Sequence, residues 1–451
     1  MRDLFQAVFG YSMPWWSWLL WSVGVVAIVS VWAALFLPEW PLPQFRPLFR
    51  DPPGSDAFLH AMSSFFNIPV LRGGSLTLLQ NGDQFYPAML EAMRAARESI
   101  HFQVYIFEPD EIGRQFMDVF KAKAREGVEV RLLVDAFGSL ALRRRHRREL
   151  EEAGVQVRRF RDFGLRNLAR IYKRDHRRAI VVDGRVAFTG GAAVSRKWKG
   201  DVRNAHEWRD SMTRVTGAFV AGVQAAFSEN WVYETGEIIA GDRYYPTVHG
   251  TEGRTWTQRD AAAAGDGSVP CGIALVSSPA DSAQPIRLLF YLSFAAAQRR
   301  LWICNSYFIP DKKLRAAVTA RARAGVDVRV LVPGNHTDAV PVQLAGHTYY
   351  EELLEAGVRI FEYQPAMLHA KTVVVDGCWS VVGSSNLDKR SIKWNEENVL
   401  AVSDERFARA IEAGYETDLA RSREIHLDAW RRRPLAQRAL ERLAKVLVEQ
   451  Y

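Results

Sequence analysis

The sequence repeats itself at an offset of roughly 200 residues, and this duplication restricts the folds that the chain can adopt. An early block at residues 122–134 reads AKAREGVEVRLLV, and a later block at residues 320–332 reads ARARAGVDVRVLV. LEEAGV at 150–155 and LEAGV at 354–358 form a second matching pair. Each long block runs from the end of a helix through a glycine into an apolar strand. A repeat of this length indicates a duplicated domain, because solenoids repeat every 20–50 residues or so.

Strands alternate with helices in both copies, which is typical of α/β domains with helices packed on a sheet. We therefore predict two similar α/β domains that place equivalent sites face to face across a pseudo-twofold axis. The stretch between the copies is rich in glycine, alanine and polar residues and is predicted to be a linker. The predicted organisation is a membrane anchor at 1–40, a proline-rich tether at 41–70, a first domain at 71–249, a linker at 250–270, a second domain at 271–420 and an amphipathic C-terminal helix at 421–451.

An apolar segment precedes the repeat. From Trp15 to Leu37 the sequence contains no charged residue, and a run of this length suffices to cross a bilayer as one helix. Tryptophans crowd one end of the segment, as they do at membrane interfaces. A cleaved signal peptide is the alternative, but the length of the run and the single leading arginine, Arg2, favour an anchor. The flanking charges do not determine its orientation.

The chain carries a net charge of +8, which indicates an anionic partner: a nucleic acid, an anionic lipid surface or a phosphate-bearing substrate. The basic run at 143–148 is explained equally well by a solvated helix face and by a contact with anionic lipid. The C-terminal helix is likewise expected either on a membrane or packed on the protein. The three cysteines have the spacing of neither a disulfide framework nor a zinc site. No metal or cofactor is predicted.

Each copy ends in a polar cluster with the same spacing. Two basic residues stand two positions apart on a strand, so both side chains face one side. The second copy contains a histidine, a lysine, an aspartate, a glycine, a serine and an asparagine: His369, Lys371, Asp376, Gly383, Ser384 and Asn386. The first copy contains a histidine, an arginine, an aspartate, two glycines and an alanine: His176, Arg178, Asp183, Gly190, Gly191 and Ala193. The glycines are expected to allow close approach of backbone to a ligand, and the serine and asparagine to donate to phosphate oxygens.

These clusters resemble the duplicated HxKxxxxD motif of the phospholipase D superfamily, with its trailing glycines and asparagine. NGDQFYP at 81–87, SYFIP at 306–310 and the run at 386–397 resemble bacterial cardiolipin synthases in particular. The resemblance covers roughly residues 71–420. It implies two phospholipase D-type domains, each a mixed sheet flanked by helices, and a reaction that passes through a phosphohistidine. It also implies that the histidine of the first motif is the nucleophile.

Cleavage of a phosphodiester requires a nucleophile, a proton donor for the leaving alkoxide, and positive charge on the non-bridging oxygens. Two histidines divide the first two roles, and Lys371 and Arg178 are predicted to hold the phosphate. The predicted catalytic set is completed by the two motif aspartates, Asp183 and Asp376, which are expected to set local structure. Because arginine binds phosphate bidentately and lysine binds it as a point charge, the two motifs differ in geometry.

Further residues are assigned to supporting roles. By resemblance, Glu397 orients the ring of His369 and Asp210 orients that of His176. Lys173 and Arg174, beside the first histidine, are candidates for contact with the lipid head group.

Three functions fit these observations. The favoured one is phosphatidyl transfer from a phospholipid to an alcohol such as the glycerol end of phosphatidylglycerol. The second is hydrolysis of a phospholipid or another phosphodiester by the same groups. The third is a non-catalytic lipid-binding scaffold, suggested by Arg178 and Ala193.

The expected partners are an anionic phospholipid and a membrane, without nucleic acid. The expected location is a bacterial inner membrane, with one N-terminal pass and the catalytic domains in the cytoplasm. The oligomeric state is left open.

Overall fold

A computed structural model of the chain describes residues 16–17, 20–26, 29, 51–162, 172–246, 269–279 and 284–449. Residues 16–17, 20–26 and 29 are helical, and the rest of the predicted anchor lies outside the described residues, as does most of the predicted linker. Among the residues that are described, no helix has both the length and the apolar character needed to cross a membrane. The other described residues belong to one compact unit that starts at Pro47.

The helices and strands of this unit fall into two matching series. The first series is α1 (Asp56–Phe66), β1 (Leu71–Arg72), β2 (Leu76–Gln80), α2 (Gly82–Arg94), β3 (Ser99–Val104), α3 (Glu111–Arg125), β4 (Glu129–Asp135), α4 (Arg144–Glu152), β5 (Gln156–Phe160), β6 (Ala179–Val182), β7 (Val186–Gly190), β8 (Ser211–Thr216) and α5 (Phe219–Thr235). The second is β9 (Cys271–Ser277), α6 (Pro285–Ala296), β10 (Arg300–Cys304), α7 (Lys312–Arg323), β11 (Asp327–Pro333), α8 (Val340–His347), α9 (Tyr350–Glu355), β12 (Arg359–Tyr363), β13 (Thr372–Val375), β14 (Trp379–Gly383), α10 (Lys389–Lys393), β15 (Glu397–Ser403), α11 (Glu405–Leu419), β16 (Ser422–Ile425), α12 (Leu427–Arg431) and α13 (Leu435–Glu449).

The strands form two sheets of the same design. The first has the order β2-β8-β7-β6-β3-β4-β5, and the second has the order β1-β9-β15-β14-β13-β10-β11-β12-β16. Without its two edge strands, the second order matches the first position by position. In each sheet three neighbouring strands run parallel and the other pairs are antiparallel. The prediction of two similar mixed α/β domains is confirmed.

The repeated sequence blocks form the repeated helix–turn–strand units. Asp110 and Asp311 start α3 and α7, and their carboxylates accept backbone N–H groups of the first turn. Beyond the ends of these helices, Gly127 and Gly325 have φ values of 88° and 87°, which only glycine adopts without strain. The chain then enters β4 and β11, the middle strands of the parallel set, in the predicted way.

The predicted tether at 41–70 is wrong for the part that contains α1. Phe58, Leu59 and Met62 of this helix are buried in the core of the second domain, and the ring of Phe58 lies 5.1 Å from that of Trp379. Next, β1 pairs with β9, placing Leu71 opposite Gly272. The N-terminal end of the unit therefore belongs to the second domain, because the apolar face of α1 is covered by that domain's core.

The predicted boundary at residue 420 is also wrong. Strand β16 pairs with β12 and extends the second sheet, and α13 begins only at Leu435. This helix packs on α8, where the buried carboxylate of Glu441 lies 3.3 Å from Nδ1 of His347. One of the two alternatives for the C-terminal helix, packing on the protein, is therefore seen for one face of α13. Leu440 and Leu443 of the same helix are exposed.

The two domains share a core. Phe219 and Phe227 of α5 belong to the same buried cluster as Val402 of β15 and Phe407 of α11. At its centre, the side chain of Asn398 accepts the backbone N–H of Arg178 at 3.0 Å and donates to the Thr189 hydroxyl and to the Arg178 carbonyl. Since Arg178 is a motif residue, this junction brings the first motif to the second domain.

Candidate active site

Two short backbone bridges between the domains place the motif histidines. The N–H of His176 donates to the carbonyl of Glu396 at 2.9 Å, and the N–H of His369 donates to the carbonyl of Arg209 at 2.7 Å. These bridges are equivalent, since each joins the histidine of one domain to the residue that precedes the acid of the other. Each histidine is therefore held beside the acid of the opposite domain.

The resulting histidine–acid pairs cross the domain boundary. Nδ1 of His176 lies 2.9 and 3.0 Å from the carboxylate oxygens of Glu397, and Nδ1 of His369 lies 2.7 Å from Oδ2 of Asp210. The predicted pairing of Glu397 with His369 and of Asp210 with His176 is wrong. The physical reason is the backbone bridging, which carries each acid to the far side of the junction.

The charges of these pairs are set by burial and by each other. Burial lowers the pKa of His176 to about 4 despite the nearby Glu397 carboxylate, and it lowers the pKa of His369 in the same way. Burial raises the pKa of Asp210 and Glu397, but the facing histidines, the motif cations and the hydrogen-bond donors together outweigh it, so both pKa values fall below their ordinary range. At neutral pH the imidazoles are neutral and the acids ionised. A proton on Nδ1 then faces the carboxylate, and the lone pair is left on Nε2.

The motif cations lie beside the histidines. Nζ of Lys371 donates to the Ser306 hydroxyl at 2.8 Å and lies 3.1 Å from Nε2 of His369. Burial lowers the pKa of this ammonium to about 7. The guanidinium of Arg178 donates to the carbonyl of His176, and its Nε has no hydrogen-bond partner in the described part of the chain. Both cations therefore sit in surroundings that favour an added anion.

A cavity of about 220 Å³ lies between the two motifs. His176, Arg178, His369 and Asn386 line it, together with four aromatic side chains, Tyr105, Trp198, Trp208 and Tyr307. This volume is below the range typical of pockets that enclose a drug-sized ligand. It suits a charged head group better than whole acyl chains.

Comparisons with known proteins agree with this arrangement. The family described as "Cardiolipin synthase, PLD-like domain" matches residues 89–208 and 293–419. The chain belongs to this family. It is 36% identical to cardiolipin synthase A of Pseudomonas fluorescens (strain SBW25), over 87% of this chain and 78% of that protein. It is 32% identical to the probable cardiolipin synthase YwiE of Bacillus subtilis (strain 168), over 82% of this chain and 71% of that protein.

Among solved structures, phosphatidylserine synthase of Haemophilus influenzae Rd KW20 has a TM-score of 0.64 and 15% identity, and it covers 87% of this chain and 98% of that chain. At this identity the likeness supports the fold alone. The fold of this chain is thereby also seen in an experimentally solved structure.

The two motif aspartates of this family member do not line the cavity. Asp183 and Asp376 have φ values of 53° and 54°. Each carboxylate accepts three consecutive backbone N–H groups, of residues 97–99 and 298–300 respectively. These contacts hold the starts of β3 and β10, so the aspartates have the structural role expected of them and do not belong in the catalytic set.

The motif glycines make room for the neighbouring strand and not for a ligand. A Cβ on Gly191 would lie 2.3 Å from the carboxylate of Asp210, and one on Gly383 would lie 2.3 Å from the carbonyl of Asn398. A Cβ on Gly190 would lie 2.4 Å from a backbone oxygen in β8. These three glycines are not among the residues that line the cavity, and the space beside them is filled by the Asp210 carboxylate, β8 and β15.

The residues predicted to contact the phosphate or the head group differ in whether they line the cavity. The hydroxyl of Ser384 donates to Glu397, so it supports the acid and is not directed at a phosphate. Asn386 lines the cavity, as predicted for a substrate contact. Of the two basic neighbours of the first histidine, Arg174 is buried and lines the cavity. Lys173 is partly exposed and lies over the ring of Tyr172, outside the cavity lining.

One important residue is missed by reasoning from the sequence. The indole N–H of Trp198 donates to Oδ2 of Asp210 at 2.8 Å. This bond is the counterpart of the one from Ser384 to Glu397, since the first motif has Gly191 at the serine position and no hydroxyl. The missing hydroxyl is the signal in the sequence, because a buried carboxylate requires another donor.

Proposed function

We propose that this protein is a phosphatidyltransferase that makes cardiolipin from two molecules of phosphatidylglycerol. The observation that carries the proposal is the pair of cross-domain histidine–acid dyads, whose histidines line one cavity and each have a motif cation beside them. Membership of the cardiolipin synthase family and the names of the relatives support the substrate class.

In the first half-reaction, Nε2 of one histidine forms a bond to phosphorus, and the bond from phosphorus to the glycerol oxygen breaks. The other histidine enters the cycle with a second proton, on Nε2; it gives this proton to that oxygen, and glycerol leaves. Arg178 and Lys371 hold the non-bridging oxygens, where negative charge accumulates in the transition state. The carboxylate behind the attacking ring stabilises the positive charge that the ring acquires.

In the second half-reaction, the free hydroxyl of the second phosphatidylglycerol attacks the phosphohistidine. The new bond from oxygen to phosphorus forms, the bond from nitrogen to phosphorus breaks, and the hydroxyl proton passes to the other histidine. This restores both residues to their starting state, so no further reactant is needed.

We propose His176 as the nucleophile. In the described part of the chain Nε2 of His176 makes no hydrogen bond, whereas the Lys371 ammonium lies 3.0 Å from Nδ1 and 3.1 Å from Nε2 of His369. An ammonium this close to both ring nitrogens obstructs the approach of phosphorus to Nε2 of His369, so this ring is assigned the exchange of protons. The full second motif is then used for the acid–base role.

We propose that the uncharged segment Trp15–Leu37 anchors the protein in the bacterial inner membrane, with the catalytic domains in the cytoplasm. Its lack of charge and the tryptophans at one end support this location. Anchoring would keep the cavity close to a lipid substrate that does not diffuse through water.

The experiment uses purified full-length protein and phosphatidylglycerol labelled in its glycerol and acyl parts. Cardiolipin and free glycerol in equal amounts are expected. Phosphatidic acid as the main product would show hydrolysis instead.

His176→Ala and His369→Ala should each abolish turnover, and the exposed His60→Ala serves as the matched control. Rapid quenching should trap the phosphoryl group on His176. Near-normal turnover of His176→Ala would exclude the mechanism, and an inert parent protein would favour a scaffold.

A further inference from the structure

A buried arginine beside the catalytic cavity has no hydrogen-bond partner. Arg174 is only 1% exposed and lines the cavity, yet none of its three guanidinium nitrogens makes a hydrogen bond in the described part of the chain. The carboxylate of Asp135 lies 3.6 Å away, which is too far for a hydrogen bond. That carboxylate already accepts three backbone N–H groups, of Phe137, Gly138 and Asp175. A buried guanidinium without hydrogen bonds is costly even beside a carboxylate, so the N–H donors of Arg174 are free to bind a second anion.

This cation breaks the symmetry of the two domains. The residue two positions before the histidine is Arg174 in the first domain and Met367 in the second. The last residue of the middle parallel strand is Asp135 in β4 and Pro333 in β11. Because the phosphate that is transferred already faces one histidine and one cation from each domain, an extra cation on one side is not needed to hold it. Its presence indicates a second anionic group on that side.

Two further groups stand near Arg174. The ring of Tyr105 packs edge-on against His176 at 5.2 Å, and Arg390 of α10 is half-buried; both side chains line the cavity. Burial raises the pKa of the Tyr105 hydroxyl, and the charges of Arg390 and Arg174 oppose that rise. Arg174, Tyr105 and Arg390 all line the same cavity, so the three side chains can contact one ligand.

We propose that Arg174, Tyr105 and Arg390 form a second anion subsite that binds the phosphodiester of the acceptor lipid. The inference rests on the proposed function, because it assigns the subsite to the second half-reaction. The acceptor's hydroxyl forms the bond to phosphorus, the bond to the histidine breaks, and the proton passes to the other histidine. A lipid with a phosphodiester a few atoms from its hydroxyl is held by the subsite, whereas water, ethanol and glycerol gain nothing from it.

The test is a competition between acceptors. Full-length protein is given labelled phosphatidylglycerol in detergent with a fixed concentration of ethanol, and cardiolipin and phosphatidylethanol are measured together. Because a hydrogen bond to a charged group contributes one to two orders of magnitude in affinity, Arg174→Gln should lower the ratio of cardiolipin to phosphatidylethanol about 10- to 100-fold. Arg390→Gln should lower the ratio in the same direction. Arg161→Gln is the matched control: this arginine is also buried but pairs with Glu396 and is not in the cavity lining, so the ratio should not change.

The outcomes separate the subsite from the proposed function. Equal loss of both products in Arg174→Gln and Arg390→Gln would overturn the subsite alone, because the arginines would then act on the transferred phosphate. An unchanged ratio would overturn it as well. If Arg174→Gln does not fold, as judged by thermal unfolding, Arg390→Gln decides, since the side chain of Arg390 is partly exposed. A parent protein that makes neither product would overturn the proposed function and the subsite with it.

Discussion

Neutralising one acid should show which histidine it serves. Glu397→Gln keeps the size of the side chain and removes its charge, and it should impair His176, which lies in the other domain. The two carboxylate oxygens lie 2.9 and 3.0 Å from Nδ1 of His176. The opposite expectation, impairment of His369, follows from pairing within the motif of the second domain.

The size of the effect follows from the geometry. A buried hydrogen bond to a charged group contributes about 1.5–3 kcal/mol, and about 1.4 kcal/mol corresponds to a tenfold change in rate. The carboxylate stabilises the charge that His176 acquires when Nε2 bonds to phosphorus, so kcat should fall roughly 10- to 150-fold. The loss should lie toward the upper end, because a glutamine N–H₂ facing Nδ1 favours the wrong tautomer. Ser384→Ala removes one donor to Glu397, and a smaller loss, about 2- to 10-fold, is expected.

The assay combines turnover with NMR. Cardiolipin formation gives kcat, and a ¹⁵N-histidine spectrum shows the Nδ1 protons that are hydrogen-bonded to a carboxylate. The Nδ1–H signal lost in Glu397→Gln should be the one lost in His176→Asn, and Asp210→Asn should remove the signal that is lost in His369→Asn. The exposed Glu405→Gln is the control for a charge change in the same domain.

The reasoning would be refuted by the opposite assignment. Loss of the His369 signal in Glu397→Gln would show that the acids serve the histidines of their own domains. A kcat within twofold of the parent, with the His176 signal intact, would show that Glu397 does not support catalysis.

Three further outcomes are expected. Burial lowers the pKa of Lys371 to about 7, so its ammonium is charged below that pH and loses its charge above it. Substrate affinity should therefore weaken as pH rises past about 7, and Lys371→Arg should remove this dependence. A series of KM measurements at different pH values checks both expectations. Full-length protein should partition with membranes, and removal of residues 1–40 should weaken but not abolish activity on detergent-dispersed lipid; full-length protein found wholly soluble after cell breakage would contradict the anchor. Chelators should leave turnover intact, because two imidazoles and two cations supply the nucleophile, the acid and the charge stabilisation; activity lost in chelator and restored by stoichiometric zinc or calcium would argue against the mechanism.

Much of the architecture follows from local patterns. The repeated blocks at 122–134 and 320–332 predict equivalent helix–glycine–strand units, and both form as predicted because a helix end and an apolar strand depend mainly on neighbouring residues. The motif histidines and their cations are likewise identified by spacing alone. The edges of the domains are not, since α1 and β16 join the second domain through surfaces that are distant in sequence.

The sequence by itself determined the duplication, the mixed α/β class, and the identity of the histidines and cations that meet at the junction. Only the tertiary structure decided that Glu397 serves His176 and Asp210 serves His369, that Ser384 and Trp198 hold these acids, and that the motif glycines admit a neighbouring strand. The physical reason is the same in each case. These contacts join residues of the two domains through backbone bridges and close strand packing, and the spacing of residues along one chain carries no information about which domain supplies the partner.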